Sequence, residues 1–428
     1  MKSFFKKVVV NILFFLAKRV LLRHRPIVVA VTGSVGKTTT KDFIYEALKH
    51  KFKSRKSRKS FNSELGIPLT VLGLSNAWNN PFKWTVNIAK ALFIAFFSKD
   101  YPEVLVLEVG IDRPGDMDKI TSWLKPDVVV MTRLPKVPVH VEYFKTPEEV
   151  ILEKFKLVDA LKSDGVFVYN RDDALIVNRL SDVRVETVGY SRYLPSDFTA
   201  GGDRIIYGDG GYPVGIEFII KHHREVERLF INGTIGTQHV YAALAALAVA
   251  DYFGIDLKSA VNNISNFKTQ PGRMRLLTGI KSSLIIDDTY NSSPVALENA
   301  LETLADLKIK GRKIVVLGDM LELGDYTKGE HLRLGKLAGH QADYLLVFGN
   351  FSKYFAEGAL SVGMSEANIK QFDSVKRCGL FLQSLLSSGD IVLVKSSQGM
   401  RGEKIVFEVM YDSDFAENLL VRQDKNWS

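Results

Sequence analysis

The sequence predicts an α/β protein: a central domain on a mostly parallel sheet with antiparallel ribbons, followed by a Rossmann-like C-terminal domain. Three observations predict it. Short β-branched runs alternate with helical patterns along most of the chain, the grammar of parallel sheets. A glycine turn closes the first run and opens a helix. From about 183 to 235 the pattern changes to short glycine-rich runs such as GGDRIIYGDGGYPVGIEFIIKHH, which suggest antiparallel ribbons.

Residues 1–26 form a first unit. Lys2, Lys6 and Lys7 precede an apolar run from Val8 to Ala17, and Lys18, Arg19, Arg23 and Arg25 follow it. Asn11 interrupts a run that is already short of the ~20 residues a bilayer span needs. No small-x-small site follows, so a signal peptide is disfavoured too. A basic amphipathic helix remains, either packed on the body or touching an anionic membrane surface through residues 1–25.

The central domain is expected over 27–269. IVVAVTG is its first strand and TTTKDFIYEALKHKF the helix after it. The cluster KFKSRKSRKS at 51–60 reads as a solvated turn or strand end, or as an attractor of phosphates. The stretch from Trp84 to Phe97 reads as a buried helix. VLVLEVG (104–110) and PDVVVMT (126–132) are further buried strands. NFKTQPGR marks a boundary, and the C-terminal domain is expected over 270–428, with strands in LLTGIKSSLIIDDTY, KIVVLGDM, ADYLLVFG and DIVLVKSS.

Composition narrows the classes. At 46% hydrophobic and 25% charged residues, the 428-residue chain is neither disordered nor collagenous. Its single cysteine, Cys378, excludes an internal disulfide and points to a reducing cytoplasm. The net charge of +9 invites an anionic partner, yet no motif beyond charge supports nucleic acid.

The most specific local signal is VAVTGSVGKTTTKDF. A strand delivers a glycine turn whose N–H groups converge, and a helix opening at Lys37 adds its positive end, which makes phosphate the natural occupant. Gly33, Ser34, Val35, Gly36, Lys37, Thr38 and Thr39 form this P-loop. Lys37 would reach β- and γ-phosphate oxygens and Thr38 would ligate Mg²⁺. The strict G-x-x-x-x-G-K-[ST] pattern fails at Val31, so the loop is a variant, and Thr32 stands where the deviant Walker ATPases carry lysine. Glu108 ends a buried strand beside the loop, where a carboxylate can join Thr38 on Mg²⁺.

Ordered motifs continue beyond the loop: FNSELGIPLTVL (61–72), LEVGIDRPGDM (107–117), HVEYF (140–144), Lys154, YNRDD (169–173), PGR (271–273), DDTYNSSP (287–294) and LGDMLELG (317–324), with His331 following. Together with TGSVGKTTTK they resemble the Mur ligase family, the ATP-dependent amide-bond ligases of peptidoglycan synthesis, over roughly residues 27 to 410.

The resemblance implies that ATP phosphorylates a substrate carboxylate, that an amine attacks the acyl phosphate, and that phosphate leaves. The product most similar to the motif set is a muramoyl tripeptide extended by D-alanyl-D-alanine. Lys37, His140 and Lys154 would be catalytic, with His140 also at a second metal and Lys154 either carbamylated or an ordinary surface lysine. Arg273 would reach the γ-phosphate, Asn291 the adenine edge and Asp319 the ribose, while Asn62, Lys395 and Arg401 would contact substrate. ATP and Mg²⁺ are the implied cofactors.

Three departures bear on substrate. Only about thirty residues precede Gly33, where the family has a UDP-binding domain, so the usual UDP platform is expected to be missing. The family's histidine-asparagine motif reads Gln238-His239, with Ala242 at its later asparagine. A KGSR-like segment reads KSSQGMR, keeping Lys395 and Ser397 with Arg401 as a compensating cation. The expected partners are a small-molecule or lipid-linked peptidoglycan precursor and an amino acid or dipeptide. A polyglutamate-like acceptor and a non-catalytic nucleotide-binding role are the alternatives. The expected location is cytoplasmic, with the inner membrane face as the open alternative.

Overall fold

The computed structural model describes residues 2–58, 61–78 and 80–423. Side chains of residues 2–8, including Lys2, Lys6 and Lys7, lie outside the described set, as do Lys59 and Ser60 of the basic cluster.

Helix α1 (Lys2–His24) leads into strand β1 (Ile27–Thr32), whose residues from Val28 onward are buried. Helix α2 (Lys37–Leu48) follows directly from the glycine turn. Next come β2 (Ser54–Lys56), α3 (Gly66–Val71), α4 (Pro81–Phe96), β3 (Val104–Glu108), α5 (Asp116–Thr121) and β4 (Val128–Met131). Helix α6 (Pro147–Asp159) starts on a Thr146 side chain that accepts from the Glu149 N–H, with proline in the first turn. Strands β5 (Val166–Asn170), β6 (Glu186–Ser191), β7 (Phe198–Tyr207), β8 (Pro213–His222) and β9 (Glu225–Asn232) complete a nine-stranded sheet, ordered β2-β3-β1-β4-β5-β6-β7-β8-β9.

The pairing is parallel from β2 to β7 and antiparallel through β7, β8 and β9. The ribbons expected at 183–235 therefore extend the parallel sheet. Central strands β1, β3 and β4 are buried on both faces, which is why they read as unbroken β-branched runs. Their ends place Thr32, Glu108 and Met131 on one edge of the sheet.

A second sheet contains β10 (Arg275–Gly279), β11 (Ser283–Asp288), β12 (Lys313–Gly318), β13 (Tyr344–Phe348), β14 (Ile369–Phe372) and β15 (Ile391–Lys395), in the order β10-β11-β15-β12-β13-β14. All pairs but β10–β11 are parallel. The linking segment is pinned to both sheets: Leu276 N donates to Gly233 O at 3.0 Å, and Gly272 N donates to Asp287 Oδ2 at 2.9 Å. Gly272 has φ +69, and a Cβ there would sit 2.8 Å from Tyr290 N, so the turn accepts only glycine without strain.

Two expectations need correction. The Trp84–Phe97 stretch is helical but not buried: α4 hides Trp84, Ala91 and Ala95 and leaves most of its aromatic residues exposed. Its apolar residues outnumber the positions that face the core. Of the readings of the basic cluster, the solvated turn is wrong and the strand end is right: it carries edge strand β2. Arg55 donates to Val71 O at 2.7 Å and lies over the Tyr101 ring at 5.0 Å, while Lys56 pairs with Asp42 at 2.9 Å. Arg55 and Lys56 thus balance groups of the fold itself.

Helix α1 packs one face on the body. Val9, Leu13, Leu16, Ala17 and Val20 are buried, at helical spacing, and full burial of a leucine contributes about 1.5–3 kcal/mol. Among the described residues no helix is long and apolar enough to cross a membrane.

Candidate active site

The site is built around the turn between β1 and α2. Gly33 (φ +132) lets the backbone pass so close to β4's end that a Cβ would stand 2.1 Å from Thr132 Oγ1. Gly36 (φ +83) turns the chain into α2, whose first N–H groups and positive end then face a cleft of ≈ 1010 Å³. Ser34, Val35, Gly36, Lys37 and Thr38 line that cleft, while Thr39 is buried behind it.

Burial holds the Lys37 ammonium below its ordinary pKa, opposed mainly by the Glu108 carboxylate. Thr38 Oγ1 donates to Glu108 Oε2 at 2.9 Å, and Asn62 Nδ2 donates to Oε1 at 3.2 Å. Lys41 Nζ lies 3.9 Å from the same carboxylate and donates to Ser57 O at 2.9 Å. Glu108 thus offers hard oxygen beside a threonine hydroxyl at the end of β3. That donor set suits Mg²⁺, which binds through one or two carboxylates plus substrate phosphates and water. Among the described residues no cluster of three or more His, Cys, Asp or Glu side chains forms a closed metal cage.

The second sheet supplies the opposite wall. Arg273 Nη2 donates to Thr38 Oγ1 at 3.1 Å, and its guanidinium stands 3.9 Å from the Tyr290 ring centre. Its Nε is buried with no hydrogen-bond partner among the described residues. Asn291 also lines the cleft, its Oδ1 accepting from Gln398 N at 3.3 Å.

His140 lies in the cleft wall with φ +71. Its Nδ1 is 2.7 Å from Glu322 Oε2 of the second half, and its Nε2 is 3.6 Å from Asp112 Oδ1. That contact holds the Glu322 carboxyl below its ordinary range. Lys154, on α6, lines the cleft too. Burial first, and the Lys37 charge second, lower its pKa to about 7.

Lys37, Thr38, Glu108, Asn62, His140, Lys154, Arg273 and Asn291 are therefore brought together on one cleft. Three other residues are not. Asp319 is buried, and its carboxylate accepts from the N–H groups of Asn350 (2.7 Å) and Phe351 (3.1 Å), which fixes the turn after β13 and leaves it off the cleft wall. Lys395 is buried with Nζ 2.5 Å from Asp288 Oδ2 and 3.0 Å from Asn291 O, so it positions the DDTYN segment from behind. Arg401 pairs with buried Glu403 at 2.6 Å and likewise does not line the cleft.

His239 is also structural. It is fully buried, 2.8 Å from Thr234 Oγ1, and burial lowers its pKa to about 4.

The cleft contains residues that sequence reasoning did not single out. Asp112, Arg113, Tyr143, Tyr290 and Glu322 lie inside the quoted motifs, so their signal was present without a role attached. Arg58 was visible only as part of the basic cluster at 51–60, and Trp78 carried no signal, since only the fold brings its segment to the loop.

A parallel sheet whose strand ends carry a glycine turn, a Lys-Thr pair at the helix start and a facing carboxylate defines a nucleotide-binding P-loop protein. Residues 31–250 match the Mur ligase middle domain, and residues 272–398 match the domain described as Mur ligase, glutamate ligase domain. The chain belongs to the Mur ligase family.

It is 30% identical over 399 residues to the UDP-N-acetylmuramoyl-tripeptide--D-alanyl-D-alanine ligase of Bacillus subtilis, covering 92% of this chain and 78% of that one. The ligase of the same name from Borreliella burgdorferi is 27% identical, covering 88% and 73%. Among solved structures, the MurF ligase of Thermotoga maritima in complex with ADP superposes with a TM-score of 0.74 at 26% identity, covering 93% and 82%. The folylpolyglutamate synthase of Mycobacterium tuberculosis shares the fold at TM-score 0.65, with 15% identity and coverage of 93% and 94%.

Proposed function

We propose that this protein is an ATP-dependent carboxylate–amine ligase that joins D-alanyl-D-alanine to a muramoyl tripeptide in peptidoglycan precursor synthesis. The carrying observation is the convergence of Lys37, Thr38, Glu108 and Arg273 on one cleft, in a chain that matches ligases of that name along most of its length. We further read the chain as two domains, 27–269 and 270–428, with the hinge at the PGR segment.

In this reading the α2 N-terminus and Lys37 hold the phosphates of ATP, while Arg273 reaches the γ-phosphate from the second half. Thr38 and Glu108 would hold Mg²⁺, which when bound neutralises charge on the transferring phosphoryl oxygens. The substrate carboxylate oxygen attacks the γ-phosphorus, ADP leaves, and the resulting acyl phosphate is attacked by the incoming amine. The amide C–N bond forms, the amine proton is lost, and inorganic phosphate departs. Closure of the two halves excludes water, which would otherwise hydrolyse the acyl phosphate.

The purified protein is expected to release ADP and phosphate only when ATP, a UDP-muramoyl tripeptide and D-alanyl-D-alanine are all present. Turnover with a lipid-linked acceptor or a glutamyl amine, and none with this pair, would refute the substrate assignment.

Lys154 supports a carbamate role. A neutral amine is needed to attack CO₂, forming an N–C bond and releasing a proton to give an anion. With its pKa lowered to about 7, Lys154 is neutral in half of the molecules at that pH and in nearly all one to two units higher. CO₂-depleted enzyme is expected to regain activity on adding bicarbonate, with restoration rising tenfold per pH unit below about 7 and levelling above it. Lys154→Ala should lose at least about tenfold in rate and ignore bicarbonate. Wild-type activity indifferent to bicarbonate would exclude the carbamate.

A further inference from the structure

Helices α1 and α4 leave an apolar face uncovered. On α4, Phe82, Phe93 and Phe97 are 77%, 60% and 71% exposed, and Val86 and Phe96 are exposed with them. At 100° per residue these five fall within roughly 50° either side of one line. On α1, Phe15 and Leu22 are 62% and 64% exposed, on the side opposite its buried stripe. The faces adjoin, since the exposed Arg19 guanidinium lies over the Phe96 ring at 5.4 Å.

The charge carried by these two helices has one sign. No Asp or Glu occurs before Asp42, or between Glu64 and Asp100, whereas Lys18, Arg19, Arg23, Arg25, Lys83, Lys90 and Lys99 fall within these segments. A second copy of the chain would set these cations against each other. An anionic bilayer offers both an apolar layer for the phenylalanines and negative headgroups for the rim.

We propose that the exposed face of α1 and α4 is a docking surface for an anionic lipid membrane. The opposite side of α4 braces the segment that lines the cleft. Trp84 of α4 donates its indole N–H to Trp78 O at 2.9 Å, Asn87 Nδ2 donates to Ser75 O at 2.9 Å, and both Trp78 and Ser75 line the cleft.

Vesicle flotation of the full chain tests this. The protein is expected to float with phosphatidylcholine vesicles containing phosphatidylglycerol, not with pure phosphatidylcholine, and to be released by salt. Phe93→Ser combined with Phe97→Ser should lower vesicle affinity at least tenfold. Lys18→Glu combined with Lys90→Glu should lower it by about fivefold or more per residue. All four positions are exposed, so melting temperature and ADP release with soluble substrates should not change. No flotation, equal flotation with both vesicle types, or flotation unaltered in both variants would overturn the proposal. So would a solution dimer that the Phe93→Ser and Phe97→Ser changes dissociate without any vesicle binding.

Discussion

Lys37→Met is expected to lower ADP release by about 10²–10³-fold without lowering thermal stability. The two outcomes have one cause. Lys37 is half-buried in the cleft wall, where its charge is poorly solvated, and desolvation holds its ammonium below the ordinary range. Removing a desolvated charge costs the fold little. Glu108 keeps the hydroxyl of Thr38 at 2.9 Å, the amide of Asn62 at 3.2 Å and Lys41 at 3.9 Å. The loss falls on phosphoryl transfer, where charge builds on oxygens that Lys37 would meet in a site shielded from water. Coupled measurement of ADP release and calorimetry of the same sample separate the effects. Full turnover, or ATP affinity equal to wild type, would mean the loop does not hold the nucleotide as argued.

Arg273→Ala is expected to reduce kcat by about 10²-fold or more, with a smaller change in KM for ATP. Arg273 reaches from the linking segment across to Thr38, 3.1 Å from its hydroxyl, and is steadied by the Tyr290 ring. Its buried Nε lacks a partner among the described residues, so the fork has capacity left for a phosphate oxygen. An interaction made across two halves of the protein is completed only when they meet, so its loss should appear in the chemical step more than in first binding of ATP. Arg273→Lys should recover part of the rate, because it keeps charge but not the planar fork. Steady-state kinetics with all substrates saturating decide this: unchanged kcat in Arg273→Ala would remove the residue from the reaction.

Much of the fold was legible because its signals are local. β1, β3, β4, β12, β13 and β15 are buried on both faces and so appear as continuous β-branched runs. β2 was legible only as one of two readings, since Ser54–Lys56 reads as charge and is a strand because β3 lies beside it. The exposure of α4 was not legible: apolar composition cannot distinguish a helix that faces a core from one that faces outward.

The site divides the same way. The phosphate loop needs consecutive residues at set spacing, so Gly33, Gly36, Lys37 and Thr38 are visible in the chain itself. Asp319, Lys395 and Arg401 belong to equally orderly motifs, yet they point inward to backbone N–H groups, Asp288 and Glu403.

The sequence by itself determined the α/β class, the loop that faces phosphate and the family to which the chain belongs, because each depends on short-range periodicity and residue type. Only the tertiary structure decided which polar residues face the cleft and which brace it from behind. It also brought Arg273 to Thr38 across 235 positions of chain, and left Phe15, Phe82, Phe93 and Phe97 in the open. Those outcomes depend on which buried group each side chain meets first, and that is set by packing between segments far apart in sequence.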